Sequence, residues 1–354
     1  MNKLVSGIQQ IGIGVRNVYE AWKWYKENFG MDVRIFEDDT VAELMLPYTG
    51  GKPHQRHAAL AMNMAGGGGF EIWQYTSRTP EGPKFDVLLG DLGINMAKIK
   101  TPNVKRAYNE FKSRKLDVLG ELTDKHFYVR DPYGNIFQVV EENSWFKKTD
   151  KLTGAVAGAV IGVTNIENAK KVYSDILGYD EVVYDKEEIF DDFKTLPGGD
   201  KKFRRVLLKS SNKRKGVFIN LLGESSIELI QVFDREPKKI FKERFWGDLG
   251  FIHLCYDING MEALKKDCED KGFPFTVDSS VKHNKDNSFD MGEAAGHFSY
   301  IEDPDGTLIE FVETHRIPIL KKYGWFLNLR KRNPQKPLPN WMVGFLGLNK
   351  VKFE

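Results

Sequence analysis

The chain has 354 residues, 41% hydrophobic and 12% aromatic, which is enough for two domains of ordinary size with a substantial core. Its 52 Lys and Arg nearly balance its 50 Asp and Glu, which excludes charge-driven disorder and gives no overall argument for a nucleic-acid or membrane partner. Two cysteines, Cys255 and Cys268, cannot build a disulfide framework or a cysteine-ligated zinc site. We find no secretory signal and no apolar run of membrane-spanning length, and we expect a cytoplasmic protein.

The first quarter of the chain has the pattern of one strand, one helix and three further strands. Strands are predicted at 8–15, 33–36, 57–64 and 69–75, and the helix at 19–28. A glycine run at 66–69 separates the last two strands and predicts a tight turn. The second quarter repeats this order, with a strand at 93–100, a helix at 103–115 and short strands ending at 137–141. Both quarters are therefore predicted to be βαβββ modules.

The second half of the chain repeats the first. The segment 10–17 returns at 158–165, and Gly-Asp-Leu-Gly at 90–93 returns at 247–250. The Asp-Pro-Tyr-Gly turn at 131–134 returns as Asp-Pro-Asp-Gly at 303–306. Because the order of the segments is kept, we infer a duplication. The first half is predicted at 1–142, with modules at 7–80 and 90–142, and a linker follows at 143–153. The second half is predicted at 154–314, with modules at 154–235 and 248–314. An extension at 315–354 follows it.

Four such modules resemble the vicinal oxygen chelate superfamily, which includes glyoxalase I, extradiol dioxygenases and bleomycin-resistance proteins. The resemblance is carried by the run from Ile301 to Glu310 and by the Tyr-x-x-x-x-Gly helix ends at 25–30 and 173–178. It is strongest to a fused, four-module glyoxalase I. The resemblance implies an α+β fold with two cupped, mixed-sheet pseudo-barrels, each formed by two modules.

In that superfamily each module supplies one metal ligand from its first strand and one from its last. Carried over by position, the candidates in modules one to four are Gln10 and Glu71, Met96 and Gln138, Gly158 and Glu228, and His253 and Glu310. If neighbouring modules pair, each site mixes competent and incompetent ligands. If the outer modules pair, one site receives Gln10, Glu71, His253 and Glu310, and Glu228 alone remains competent in the other. We favour the outer pairing.

The set Gln10, Glu71, His253 and Glu310 suits one divalent ion, namely Zn²⁺, Ni²⁺, Co²⁺ or Mn²⁺. A histidine within an apolar strand is usually a packed core residue, but the place of His253 in the repeat favours a ligand. A carboxylate on the inward face of a strand, as at Glu310, is costly unless it is paired or metal-bound. By resemblance, Glu310 is the base that removes a carbon-bound proton, Glu71 returns it, and the ion stabilises an enediolate.

Three functions remain open. The first is a glyoxalase-I-like, metal-dependent isomerase or lyase acting on a small vicinal-oxygen substrate. Gly14 and Leu249 stand where arginines for a glutathione adduct are expected, so that adduct is not predicted. The second is an extradiol-type dioxygenase using Fe(II), which requires two histidines. The third is a non-catalytic binding protein. The expected partner is a small molecule, with neither nucleic acid nor membrane, and the chain is expected to be a monomer or homodimer.

The extension at 315–354 differs in composition from the rest of the chain. It carries nine Lys and Arg and one acidic residue, interleaved with aromatic residues such as Trp341 and Phe345. A membrane-surface or anionic-ligand role is one interpretation. We favour the other, in which the aromatic side chains pack on the acidic body or on a dimer partner while the lysine stems lie along them.

Overall fold

The computed structural model describes residues 3–285, 287–290, 294–320 and 325–353, without the side chains of 318–320 and 325. The first module consists of β1 (Leu4–Gly14), α1 (Val18–Phe29), β2 (Val33–Val41), β3 (Gln55–Met62) and β4 (Gly69–Tyr75). Helix α1 begins where the Asn17 side chain accepts hydrogen bonds from two backbone N–H groups, and it ends at Gly30, whose φ of 64° is left-handed. Its apolar positions fall on one buried face, formed by Val18, Ala21, Trp22, Tyr25 and Phe29.

The next three modules repeat this order. The second consists of β5 (Gly93–Thr101), α2 (Val104–Ser113), β6 (Asp117–Leu119), β7 (His126–Arg130) and β8 (Ile136–Glu141). The third consists of β9 (Val156–Gly162), α3 (Ile166–Tyr173), β10 (Glu181–Glu188), β11 (Phe203–Lys209), a short α4 (Ile219–Leu222) and β12 (Ser226–Val232). The fourth consists of β13 (Gly250–Asn259), α5 (Met261–Asp270), β14 (Val277–Asp278), β15 (Phe289–Asp290), β16 (Ala295–Glu302) and β17 (Leu308–Leu320).

The strands form two curled sheets, each of which joins two modules. One sheet has the order β14-β16-β17-β13-β1-β4-β3-β2 and joins the fourth module to the first. The other has the order β10-β11-β12-β9-β5-β8-β7-β6 and joins the third to the second. The first strands of the paired modules run antiparallel, β1 beside β13 and β5 beside β9. The predicted outer pairing is confirmed, and the alternative of paired neighbours is wrong.

Modules that are neighbours in sequence are linked by a hydrogen bond from a helix of one to a turn of the next. The Tyr25 hydroxyl donates a hydrogen bond to Asp131 at 2.7 Å, and the Tyr173 hydroxyl donates one to Asp303 at 2.9 Å. All four side chains are buried. The two most recognisable sequence motifs, the helix-ending tyrosine and the Asp-Pro turn, therefore hold each other across adjacent modules.

The extension continues the fourth module. β17 passes the expected boundary, runs to Leu320 and pairs with β18 (Trp325–Asn328). Leu338 and Val343, the latter within α6 (Asn340–Gly344), are buried among apolar residues of the first and third modules. Trp341 and Phe345 instead stay exposed, so these aromatic side chains do not pack on the body of their own chain. None of the helices described is long and apolar enough to span a membrane.

Candidate metal centre

Four side chains meet in the middle of the sheet that joins the first and fourth modules. Gln10 lies on β1, Glu71 on β4, His253 on β13 and Glu310 on β17, and these four strands are adjacent. The register places Gly12 opposite both Glu71 and His253. Since residues two apart share a face of a strand, the pairing brings all four side chains to the concave side. The structure thus brings together every residue predicted for the site.

The distances within this group are short. His253 Nε2 lies 3.2 Å from Glu71 Oε2 and 3.1 Å from Glu310 Oε2. Gln10 Nε2 donates a hydrogen bond to Glu71 Oε2 at 3.0 Å. One ligand atom from each of Glu71, His253 and Glu310 lies within 4.8 Å of the others, and no second group of three His, Cys, Asp or Glu side chains converges in this way among the described residues.

The charged groups of this cluster are buried, and their close contacts change their pKa values. His253 is fully buried, and Glu71 and Glu310 are buried as well. Burial lowers the pKa of His253, but the negative charges of Glu310 and Glu71 outweigh it and raise that pKa to about 9. Burial raises the pKa of Glu310, but the neighbouring imidazolium outweighs it and holds that pKa below its usual value. Two carboxylates and one imidazole therefore lie within a few ångströms of one another in a site that is shielded from water.

The nitrogen and oxygen atoms that converge at this site are of the kinds that coordinate a divalent cation. Both ring nitrogens of His253 and Oε2 of Glu310 are buried and have no hydrogen bond of good geometry within the described part of the chain, although the imidazole lies at ion-pair distance from both carboxylates. Buried polar atoms in native proteins almost always have a partner, and an ion is one way to supply it. One imidazole nitrogen and two carboxylate oxygens suit Zn²⁺, Ni²⁺, Co²⁺ or Mn²⁺. Gln10, whose amide nitrogen here donates to Glu71, would offer its amide oxygen to an ion once the amide group is turned. The two carboxylates would neutralise the charge of the ion.

Gly12 makes room for the imidazole, which sequence reasoning missed. A Cβ on this residue would lie 2.5 Å from His253 Cε1 and 2.7 Å from its Nδ1. Any side chain here would therefore push the histidine ring out of position. The sequence signal was the alternation of glycine along 10–14, which by itself indicates only a strand that something approaches closely.

We expect Gly12→Ala to weaken divalent-metal affinity by about 10–100-fold, the range typical of changes to groups that orient a ligand. Gly344→Ala is the matched control, because no atom lies within 4 Å of a Cβ built there. Titration of Zn²⁺ into both variants, followed by calorimetry, measures the difference. Equal affinities in the two variants would show that the His253 ring does not depend on the space at Gly12.

Aromatic side chains form the wall beside His253. The Trp246 ring lies nearly parallel to the imidazole, with centroids 6.1 Å apart, and Tyr300 meets it edge-on at 5.6 Å. Trp73, on the same strand face as Glu71, contacts Trp246 at 4.8 Å. The indole N–H groups of both tryptophans are buried without a partner in the described part of the chain. The wall thus combines apolar surface with two unused hydrogen-bond donors.

The equivalent point of the other sheet is occupied by the protein's own cations. Glu228 is buried, with Lys98 Nζ at 2.7 Å and Arg205 Nη2 at 2.6 Å, and it accepts a hydrogen bond from the Tyr184 hydroxyl at 2.7 Å. Burial raises the pKa of Glu228, but Arg205 and Lys98 outweigh it and hold that pKa far below its usual range. Met96, also buried here, offers no hard ligand. The second pocket is therefore an ion-pair network.

The other candidates of this second pocket have ordinary roles. The Gln138 amide nitrogen donates a hydrogen bond to the Tyr128 hydroxyl at 3.4 Å. Gly158 faces Lys98 across the strand pair, and a Cβ built on it would lie 3.2 Å from Lys98 Cδ. Sequence reasoning missed Lys98 and Arg205 because it followed only the ligand positions of the repeat. The signal was present in Lys98, a lysine alternating with apolar residues on a predicted buried strand.

Histidines outside the repeat positions do not join the candidate centre. His297 lies 2.7 Å from Asp278, and its ring contacts that of His283. His126 lies 3.0 Å from Asp192, which also pairs with Arg205. His297 and His126 therefore pair with carboxylates away from the candidate centre.

Two segments of the sequence match one protein family. Residues 7–139 and 159–289 each match the Glyoxalase/Bleomycin resistance protein/Dioxygenase superfamily. The chain belongs to this superfamily. The predicted resemblance is thereby confirmed, together with the α+β fold of cupped sheets. A comparison with curated protein sequences finds no match.

Solved structures of this superfamily share the fold. Glyoxalase I from Zea mays superposes with a TM-score of 0.52 at 12% identity, covering 88% of this chain and 92% of that one. A single-residue variant of the same enzyme gives 0.54 at 14% identity, with the same coverage. A protein from Bacillus subtilis subsp. subtilis strain 168 with a provisional dioxygenase assignment gives 0.55 at 12% identity, covering 88% and 86%. At such identities the likeness is one of fold alone.

Proposed function

We propose that the chain is a divalent-metal-dependent isomerase or lyase of the glyoxalase I type, which moves a proton between adjacent carbons of a small vicinal-oxygen substrate. The observation that carries the proposal is the convergence of Glu71, His253 and Glu310 within 4.8 Å, where both ring nitrogens of His253 and Oε2 of Glu310 have no hydrogen-bond partner among the described residues. Gln10, hydrogen-bonded to Glu71, completes the proposed set. A bound ion would supply Lewis acidity toward the substrate oxygens.

The protein's own groups would handle the proton. Glu310 is proposed as the base that removes it from the carbon beside the carbonyl, and Glu71, on the other side of His253, as the group that returns it to the neighbouring carbon. His253 would fix the orientation of both carboxylates. The buried aromatic wall formed by Trp73, Trp246 and Tyr300 would exclude water from the exchange.

The alternatives have less support. Ring-cleaving dioxygenases of the extradiol type are non-haem iron enzymes that require two histidines and a carboxylate. This cluster has one histidine. A binding protein without metal leaves Glu71 and Glu310 buried against a single imidazole, whose two ring nitrogens have no hydrogen-bond partner in the described part of the chain. Neither alternative accounts for the composition of the group as well as the isomerase does.

The test is metal-dependent hydrogen exchange on carbon. Purified protein loaded with Zn²⁺, Ni²⁺, Co²⁺ or Mn²⁺ is incubated in D₂O with hydroxyacetone or with the hemithioacetal of methylglyoxal and a small thiol. We expect proton NMR to show deuterium entering next to the carbonyl only when metal is bound. Full metal occupancy without exchange on either substrate would favour the binding protein. Oxygen consumption with Fe(II) and catechol would favour the dioxygenase.

A further inference from the structure

The end of the extension has two faces with different surroundings. In α6 and the helical turn that follows it, Phe345–Leu348, the side chains of Met342, Val343 and Leu346 pack on the body. The opposite face carries three large apolar side chains in the open. They are Trp341, Phe345 and Leu348, which are 65%, 59% and 78% exposed. We call these three residues the apolar ridge.

The three residues of the apolar ridge have a helical spacing, and two of them are in contact. Positions 341, 345 and 348 are separated by four and three residues, which places them on one side of a helix. The rings of Trp341 and Phe345 meet edge-on at 5.8 Å. Isolated exposed apolar residues are common, but a contiguous group that includes a tryptophan indicates an interaction surface.

The segment that carries the apolar ridge and a loop in contact with it are rich in cations. Residues 330–352 contain six Lys and Arg and no Asp or Glu. The neighbouring loop 209–216 adds four more cations and no acid. The two segments touch, because Lys215 donates to Gln335 at 3.5 Å and the backbone N–H of Leu338 donates to Val217 at 2.8 Å. We call 209–216 and 330–352 together the basic face. Lys350 pairs with Asp32 at 3.1 Å and Lys209 with Glu142 at 3.6 Å, but the ten cations still outnumber these acidic partners. The nearly neutral total charge therefore conceals a region with an excess of positive charge.

We propose that the basic face and the apolar ridge dock the protein on a membrane surface rich in anionic lipid. Trp, Phe and Leu on one side of a short helix suit the boundary between headgroups and acyl chains, and surrounding Lys and Arg suit anionic headgroups. A second copy of the chain is disfavoured as the occupant, since two basic faces would repel each other. The phosphates of a nucleic acid would attract the cations, but they would offer no apolar surface against which an aliphatic side chain such as Leu348 could be buried.

This proposal replaces the sequence-based expectation of no membrane partner. That expectation rested on the nearly balanced total charge and on the interpretation that the aromatic side chains of the extension pack on the body or on a dimer partner, whereas Trp341 and Phe345 stay exposed. Docking on a membrane surface does not require a membrane-spanning helix, and none is present among the described residues.

The test is co-sedimentation of the full chain with vesicles. We expect binding to phosphatidylcholine vesicles that contain phosphatidylserine and at least tenfold weaker binding to phosphatidylcholine alone. The triple variant Trp341→Ser, Phe345→Ser, Leu348→Ser should lose at least tenfold in affinity, as should Lys331→Glu with Lys336→Glu. Ile189→Ser with Val281→Ser removes equally exposed apolar side chains elsewhere and should bind as the wild type does. Added salt should weaken binding.

Several outcomes would overturn the proposal. Binding to neutral vesicles as strong as to anionic ones would remove the role of the cations, and no binding to either would remove the membrane. A dimer in analytical ultracentrifugation that dissociates in the triple variant would assign the apolar ridge to a second copy. Retention of single-stranded RNA that depends on the ridge would assign it to nucleic acid.

Discussion

Replacing Glu310 with glutamine should abolish most of the proton exchange while leaving the metal in place. Glutamine keeps an oxygen of similar position for the ion but has no basic site, and removing a general base commonly slows a reaction by about 10²–10⁴-fold. The measurement is deuterium incorporation beside the carbonyl of hydroxyacetone by NMR, with metal content determined on the same sample. Because Glu310 lies only 3.1 Å from His253, a change in metal content would otherwise be confused with a change in basicity.

Glu71→Gln is the matched variant for this experiment. Glu71 lies at a similar distance, 3.2 Å, from the same imidazole nitrogen. If Glu310 removes the proton and Glu71 returns it, Glu71→Gln should still exchange the first proton but should form product slowly. Exchange at the wild-type rate in Glu310→Gln, together with its loss in Glu71→Gln, would reverse the two assigned roles.

The second large effect is expected from Glu228 in the other sheet. Replacing Glu228 with alanine leaves Lys98 and Arg205 buried without the carboxylate that both contact. Breaking a buried ion pair by removing one partner costs about 3–5 kcal/mol. We expect the free energy of unfolding in urea to fall by about that amount, with proton exchange at the candidate centre unchanged in the folded fraction.

Glu167→Ala, on α3, provides the comparison with an exposed ion pair. Glu167 pairs at 2.8 Å with Arg204, the neighbour of Arg205 that points to the other face, and its side chain is 59% exposed. Exposed ion pairs contribute about 0–1 kcal/mol, so this variant should unfold close to the wild type. Similar losses in the two variants would mean that burial does not distinguish the Glu228 network.

The sequence predicted the path of the chain well because its repeats carry register information. Each glycine-rich first strand and each Asp-Pro turn recurs in order, and the sorting of Gln10, Glu71, His253 and Glu310 favoured one pairing of modules. The structure has that pairing. A residue's place in a repeated strand determines which face it occupies, so His253 and Glu310 could be assigned to one cup without knowledge of any distance.

Other features depend on contacts that no repeat encodes. Lys98 lies two residues beyond the position equivalent to His253, and Arg205 comes from a strand with no candidate ligand, so their meeting at Glu228 required the packed sheet. The space at Gly12 exists only because β13 lies beside β1. The exposure of Trp341 likewise follows from which face of α6 the body covers, and a five-residue helix has too short a pattern to reveal it.

The central claim is that Glu71, His253 and Glu310 hold one divalent ion, and metal content tests it most directly. Elemental analysis should be performed on protein purified without chelators from metal-supplemented cultures. We expect about one divalent ion per chain in the wild type, most of it lost in His253→Ala and all of it retained in His283→Ala, whose ring lies outside the cluster. No metal in the wild type, or a full complement in His253→Ala, would contradict the account.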